Sequence, residues 1–182
     1  PVNTGGLVID AGGYHGDWTA RMISQYGCRS VIFEPIPAYA EMCQKTFARN
    51  GLVSVRAEAL GGAARTTAFS IASDGSSEFR ATKGRQISAP VADIYEVLGD
   101  QPVDCLKLNI EGGEYEVLER LVATHKASQC RSLLIQFHRQ PEGLGTQAIG
   151  PREATCEHPP PRLVLSNGLG EVDRPQHCRR SR

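Results

Sequence analysis

The stretch Val8-Ile9-Asp10-Ala11-Gly12-Gly13-Tyr14-His15-Gly16, followed by Val31-Ile32-Phe33-Glu34-Pro35, constrains the fold of this chain more than any other feature. An apolar run, a glycine-rich turn and a second apolar run ending in a carboxylate read as strand, turn, helix and strand of a doubly wound sheet. Gly12 and Gly16 lack a Cβ, so the backbone can turn sharply and come close to a ligand. A helix opening near Asp17 would aim its unpaired N–H groups at the same place. Taken alone, Gly12, Gly13 and Gly16 are also compatible with a tight turn that binds nothing. Glu34 at the tip of the next strand favours a ligand, because a carboxylate there accepts hydrogen bonds from the two hydroxyls of a ribose.

The turn reads Asp-x-Gly-x-x-x-Gly rather than the Gly-x-Gly-x-x-Gly of dinucleotide folds. An acid at Asp10 would repel a pyrophosphate and suits a ligand bearing positive charge. S-adenosylmethionine (SAM) carries a sulfonium, an ammonium and a carboxylate and has no phosphate. Glu34 therefore argues for a nucleoside, and Asp10 for SAM, which makes the chain a candidate methyltransferase.

The bounds agree with one α/β domain: 182 residues are enough for a full core. Twenty basic and twenty acidic residues cancel, so composition gives no electrostatic case for nucleic acid or an anionic membrane. No apolar run approaches the roughly 18 residues needed to span a bilayer. The chain starts at Pro1 without a methionine, as a processed, trimmed or partial sequence would, so a lost targeting segment stays open. Six cysteines lie without Cys-x-x-Cys spacing; Cys105 and Cys130 fall in or beside apolar runs and read as core thiols. A reducing compartment, the cytoplasm, is the expectation. No sequence signal bears on oligomeric state.

Strand and helix patterns alternate along the chain. Strands are expected at 7–10, 30–34, 53–57, 66–71, 103–110 and 132–137, and helices at 18–26, 37–49, 92–98 and 114–123. Gly27 is the expected stop of the first helix, and Pro37 the expected start of the second. A polar loop is expected at 73–77. Such alternation predicts a Rossmann-like, doubly wound α/β fold with a mostly parallel sheet.

The second constellation is Leu106-Lys107-Leu108-Asn109-Ile110-Glu111-Gly112-Gly113-Glu114. Alternation puts Lys107, Asn109 and Glu111 on one side of a strand and the apolar residues on the other. A polar face on a central strand is costly unless it meets a ligand or pairs internally. An internal Lys107–Glu111 ion pair is one such arrangement. Glu114, in the first turn of a helix, suits the helix dipole.

Together, VIDAGGYHG, FEP, LKLNIEGGEYEVLERL and LLIQFH resemble the FkbM family of SAM-dependent methyltransferases, over about Leu7 to His138. The resemblance implies the class I methyltransferase type of sheet, SAM as methyl donor, and a hydroxyl of a sugar or other small molecule as acceptor. It implies that Asp10, Gly12, Gly13 and Gly16 line the methionine end of SAM, that Glu34 holds the ribose, and that Glu58 and Ala59 lie near the adenine. One departure stands out: the family usually reads K-x-D-x-E-G where this chain has Asn109. Asparagine keeps an acceptor and adds a donor, but it carries no charge and is no base.

O-methylation needs acceptor oxygen, methyl carbon and sulfur in line, and a group to take the hydroxyl proton. His138, ending the last clear strand, is the first candidate base, and Glu111 the second. Lys107 and Asn109 complete the expected catalytic set. A strand-end histidine bonded only to backbone explains His138 equally well. His15 reads as a solvent-facing turn residue, and Trp18 as packing of the first helix on the sheet. No His and acidic residues occur at metal-ligand spacing.

Residues 1–141 thus read as the SAM-binding domain and 142–182 as an irregular tail, with Pro159 to Pro161 and one apolar run, Leu163-Val164-Leu165. No C-terminal strands can be identified there, and Cys156-x-His158 and His177-Cys178 fit no common zinc site. Acceptor-binding loops are expected around 73–88. Three function classes follow: an active SAM-dependent O-methyltransferase, a non-catalytic SAM-binding remnant, and an NAD-type oxidoreductase, which would need glycine where Asp10 stands.

Overall fold

The computed structural model describes residues 2–72, 75–77, 85–138, 162–166 and 171–172. Its main sheet takes β1 (Leu7–Ala11), β2 (Arg29–Phe33), β3 (Val53–Arg56), β8 (Cys105–Leu108), β9 (Ser132–Ile135), β10 (Arg162–Ser166) and β11 (Glu171–Val172). The order of the seven strands is β11-β10-β9-β8-β1-β2-β3. All neighbours pair in parallel except β10 with β11. A smaller sheet, in the order β4-β7-β5-β6, is built from β4 (Ala59–Gly61), β5 (Arg65–Ala72), β6 (Gly75–Ser77) and β7 (Arg85–Asp93). The mostly parallel, Rossmann-like α/β sheet is the one expected from the alternation of elements.

The apolar runs become the central strands because both of their faces are covered. On one face, α1 (Asp17–Tyr26) lays Met22, Ile23 and Tyr26 against Val8, Cys28 and Cys105, with Trp18 beside them. Next to it, α2 (Pro37–Phe47) packs Cys43 and Phe47 on Ile32. On the other face, α3 (Ile94–Leu98) and α4 (Glu114–Ala123) bury Ile94, Leu98, Val117 and Leu121 over Ile9, Phe33, Leu106, Leu108 and Ile135. Gly27 ends α1 with φ 60°, a left-handed conformation that glycine adopts without strain.

Several boundaries differ from the pattern reading, each for a local reason. The expected helix at 92–98 starts two residues later, because Asp93 closes β7 and caps α3, its side chain accepting from the Tyr95 amide. The expected polar loop contains β6, which pairs antiparallel with β5; residues 73 and 74 lie outside the described residues. Residues 162–166 and 171–172, expected to carry no strand, extend the main sheet: Leu163 to Leu165 pair with Leu133 to Ile135. Three consecutive apolar residues suffice for a strand when a neighbour supplies the ladder. Cys156, His158, His177 and Cys178 lie outside the described residues, as do most of the expected acceptor loops at 73–88. Among the described residues, no helix is long and apolar enough to cross a membrane.

Cys28, Cys43, Cys105 and Cys130 are buried free thiols. Burial pushes Cys43 up to about 11, and Cys105 and Cys130 up to about 12. An unfolded thiol ionises near 8.5, so between there and pH 11 to 12 the native chain holds protons that the unfolded chain has lost. Stability therefore falls as pH rises through that window, each of the three thiols subtracting about 1.4 kcal/mol per pH unit once its unfolded form is ionised. Urea unfolding between pH 8 and 10.5 is expected to show the decline, and Cys130→Ala to make it shallower. A flat profile would contradict the burial of these thiols.

Candidate functional site

The chain runs from β1 outward to β2 and β3 in one direction, and from β8 to β9 in the other. The crevice between the carboxyl ends of β1 and β8 is therefore the topological switch point, where open α/β sheets bind ligands. Three groups of expected site residues converge there: the glycine turn after β1, the end of β2, and the ends of β8 and β9.

The turn after β1 is fixed from below. Gly12 and Gly13 both donate their N–H to the Phe33 carbonyl, at 2.9 and 3.2 Å. Gly12 has φ 80° and Gly16 φ 84°. A Cβ on Gly16 would stand 2.7 Å from the Phe47 ring, so glycine is needed for α2 to pack beneath the turn. Tyr14 occupies a left-handed conformation without being glycine, φ 49°, and its ring is half exposed. It stacks on His15 at 3.7 Å and meets Tyr39 edge-on at 4.5 Å. His15, expected to face solvent, is half-buried in this aromatic group.

Glu34 lies just past β2 and is almost fully buried. Its Oε2 accepts from the Tyr14 amide at 2.8 Å and its Oε1 from the Ile36 amide at 2.9 Å. Burial pushes its carboxyl above the ordinary value, and the Ile36 and Tyr14 amides pull the other way. Each oxygen keeps a second lone pair, so the carboxylate is held in place while retaining acceptor capacity.

Asp10 and Lys107 differ from expectation. The register pairs the two residues across β1 and β8, and Lys107 Nζ lies 2.6 Å from Asp10 Oδ1. Asp10 Oδ2 accepts from the Thr19 hydroxyl at 2.8 Å, and the Asp10 side chain is fully buried. Its charge is therefore matched inside the protein by the Lys107 ammonium. Lys107 Nζ also donates to the Gly12 carbonyl at 3.0 Å and lies 5.7 Å from the centre of the Trp18 ring. The Lys107–Glu111 pair does not form. Lys107 thus ties β8 to the glycine turn.

At the end of β8, Asn109 donates its N–H to the Ala11 carbonyl at 3.1 Å, and its Oδ1 is buried without a hydrogen-bond partner. A buried acceptor left unpaired costs about 1–3 kcal/mol. At the mouth of a switch point it is suited to a ligand donor. Glu111 follows with φ 54° and Gly112 with φ 113°, a sharp turn into α4.

Glu111 and His138, the two candidate bases, come together: His138 Nε2 is 3.4 Å from Glu111 Oε1. Glu114, which pattern reading left as a helix-dipole acid, is fully buried and folds back over the turn. It accepts from the Ile110 and Gly112 amides, each at 2.9 Å, and lies 2.9 Å from His138 Nδ1. Gln136 Nε2 lies 3.4 Å from His138 Nε2. The signal for Glu114 was present in the turn itself: a sharp reversal before a helix leaves amide donors, here of Ile110 and Gly112, that need an acceptor.

Glu58 pairs with Arg56, whose guanidinium lies 4.8 Å from the centre of the Phe33 ring. Its side chain is committed to that contact, in keeping with a partly solvated acid. Ala59 is buried in β4, beside Val91 of β7. Among the described residues, no group of three or more His, Cys, Asp or Glu is placed to hold a metal ion.

The pattern of the methyltransferase FkbM domain family matches residues 10–157 of this chain. No curated protein matches, and no solved structure does.

Proposed function

Because the chain belongs to the FkbM methyltransferase family, we propose that it transfers a methyl group from S-adenosylmethionine to a hydroxyl of a small molecule or sugar. The observation that carries this reading is Glu34: a buried carboxylate at the tip of β2, fixed by the Tyr14 and Ile36 amides beside the glycine turn. A carboxylate so held keeps a lone pair on each oxygen, which supports acceptance from two ribose hydroxyls. The unpaired Asn109 Oδ1 supplies a second acceptor at the switch point, suited to the ligand's ammonium or to a hydroxyl of the acceptor.

When bound, SAM would supply an electrophilic methyl group on a sulfonium. The chain's own contribution is placement and proton removal. Glu34 fixes the nucleoside, the glycine turn lets backbone approach it, and Asn109 orients a donor at the far side. His138 takes the proton of the acceptor hydroxyl, with Glu111 beside it to stabilise the imidazolium that forms. Asn109 is uncharged, so it orients rather than removes protons. The acceptor's class rests on the family likeness.

Titration calorimetry with SAM, S-adenosylhomocysteine and NAD tests the reading. Micromolar binding of both sulfur ligands and none of NAD is expected. Glu34→Ala should weaken SAM at least about 10-fold, since a hydrogen bond to a charged group contributes about 1.5–3 kcal/mol. Glu34→Gln, which keeps one acceptor oxygen, should bind between the two. Binding of NAD in place of SAM would overturn the proposal. SAM binding without methyl transfer to any sugar or small-molecule hydroxyl would favour a non-catalytic binder.

A further inference from the structure

Glu114 belongs to none of the roles argued so far, yet it is the most completely enclosed acid beside the candidate base. It lies at the start of α4, fully buried, with three nitrogens around its carboxylate. Two are backbone donors, from Ile110 and Gly112. The third is His138 Nδ1, at 2.9 Å. A carboxylate only accepts hydrogen bonds, so the contact requires a proton on Nδ1. The other ring nitrogen, Nε2, faces Gln136 Nε2 and the Glu111 carboxylate, each at 3.4 Å. An amide nitrogen donates, so Gln136 matches an Nε2 that carries a lone pair, whereas the Glu111 carboxylate matches the same nitrogen once it has taken up a proton.

We propose that Glu114 is a positioning residue that holds His138 in the Nδ1–H tautomer, leaving Nε2 as the nitrogen that takes the acceptor's proton. The inference rests on the methyltransferase reading for its purpose, but its geometry stands independently. In the reaction, His138 Nε2 receives the hydroxyl proton while the acceptor oxygen bonds the methyl carbon. The electron pair of the broken carbon–sulfur bond stays on sulfur. The imidazolium is then flanked by Glu114 at Nδ1 and Glu111 at Nε2, so the charge it gains meets a carboxylate on each side. Glu114 also bonds the two amides of the turn that carries Glu111, so the same side chain holds both the ring and the turn that brings Glu111 to Nε2. The arrangement follows the logic of a histidine oriented by a buried acid, in which the acid fixes the tautomer and does not itself accept the proton.

Long-range nitrogen–proton NMR of the histidine rings tests this at pH 8, with His138→Asn to assign the His138 signals. The wild-type protein is expected to show His138 protonated on Nδ1 alone, against the preference of a free imidazole side chain for a proton on Nε2. Glu114→Gln keeps an acceptor oxygen and should retain that tautomer; Glu114→Leu removes it and should move the proton to Nε2. A wild-type ring protonated on Nε2, on Nε2 and Nδ1 together, or unchanged by Glu114→Leu in a protein that circular dichroism shows to be folded, would overturn the proposal. If Glu114→Leu does not fold, the wild-type tautomer decides alone. S-adenosylhomocysteine titration of the same samples separates the two claims. Loss of ligand binding in the wild type would defeat the cofactor reading and leave the tautomer result standing.

Discussion

Lys107→Met is expected to lose about 3–5 kcal/mol of unfolding free energy, a large share of the roughly 5–15 kcal/mol that holds a domain together. The cause is the partner left behind. Asp10 has no exposed surface, and the Lys107 ammonium at 2.6 Å is the cation that matches it. Removing that cation strands a carboxylate on a central strand, with the Thr19 hydroxyl as its remaining hydrogen-bond donor. Methionine fills much of the same volume, so a cavity contributes little and charge dominates. The double variant Asp10→Asn/Lys107→Met should recover about 2 kcal/mol, because a neutral amide tolerates burial beside Thr19. Urea unfolding of the four proteins of this cycle measures the coupling. Additive losses would show that the pair is not an interacting unit. Lys107 also donates to the Gly12 carbonyl, so Lys107→Met should weaken SAM binding even where the protein remains folded.

The same pair shows where pattern reading succeeds and where it ends. Alternation correctly put Lys107 opposite Leu106 and Leu108, since parity along a strand is a local property. It did not show that β8 lies beside β1 with Lys107 against Asp10, a register set across 97 positions of chain by packing of the whole sheet. Glu111, four positions on, was the nearest acid of the same strand parity and the wrong partner. Asp10 was read as facing a ligand for the same reason: its residue type was visible and its neighbour was not. The position of Glu34 beside the glycine turn was legible, because the distance from that turn to the tip of the next strand is nearly fixed by one strand–helix–strand unit.

Among the elements, the apolar strands β1, β2, β8 and β9 and the amphipathic helices α1 and α4 were plain from their apolar runs and their period, although β8, expected over 103–110, spans only Cys105–Leu108. Of the small sheet, β5 was legible, expected at 66–71 and found at Arg65–Ala72, and the rest was not. β4 has three residues, too short for a period to register. β7 contains Pro90, which argues against a strand in any single sequence. Yet β7 runs for nine residues, pairing with β5 and, at its far end, with β4. His138 and Glu111 were each singled out as bases, but their meeting depended on the turn at Glu111 and Gly112. Positive φ at a glutamate has no sequence signature beyond the glycines that follow it.

Gly12→Ala and Gly5→Ala separate two costs that share one backbone conformation. Both glycines are left-handed, φ 80° at Gly12 and φ 73° at Gly5. A Cβ at Gly5 would meet no atom within 4 Å, so Gly5→Ala should cost only the strain of that conformation, about 1–2 kcal/mol. A Cβ at Gly12 would lie 2.0 Å from the Asn109 carbonyl oxygen, which is backbone and has no rotamer by which to escape. Neither side can give way cheaply. Asn109 N–H is bonded to Ala11, Gly12 N–H to Phe33, and the Gly12 carbonyl to Lys107. Gly12→Ala should therefore cost about 3–5 kcal/mol, strain plus overpacking, by prising β8 from β1 at the switch point. The functional consequence should exceed the thermodynamic one. Separating these strand ends displaces Asn109 from the glycine turn, so a folded Gly12→Ala protein should lose SAM binding while Gly5→Ala retains it. Calorimetry on the two variants beside their urea curves reads both effects. Equal SAM affinity in the two proteins would mean that the crevice between β1 and β8 is not where the methyl donor sits.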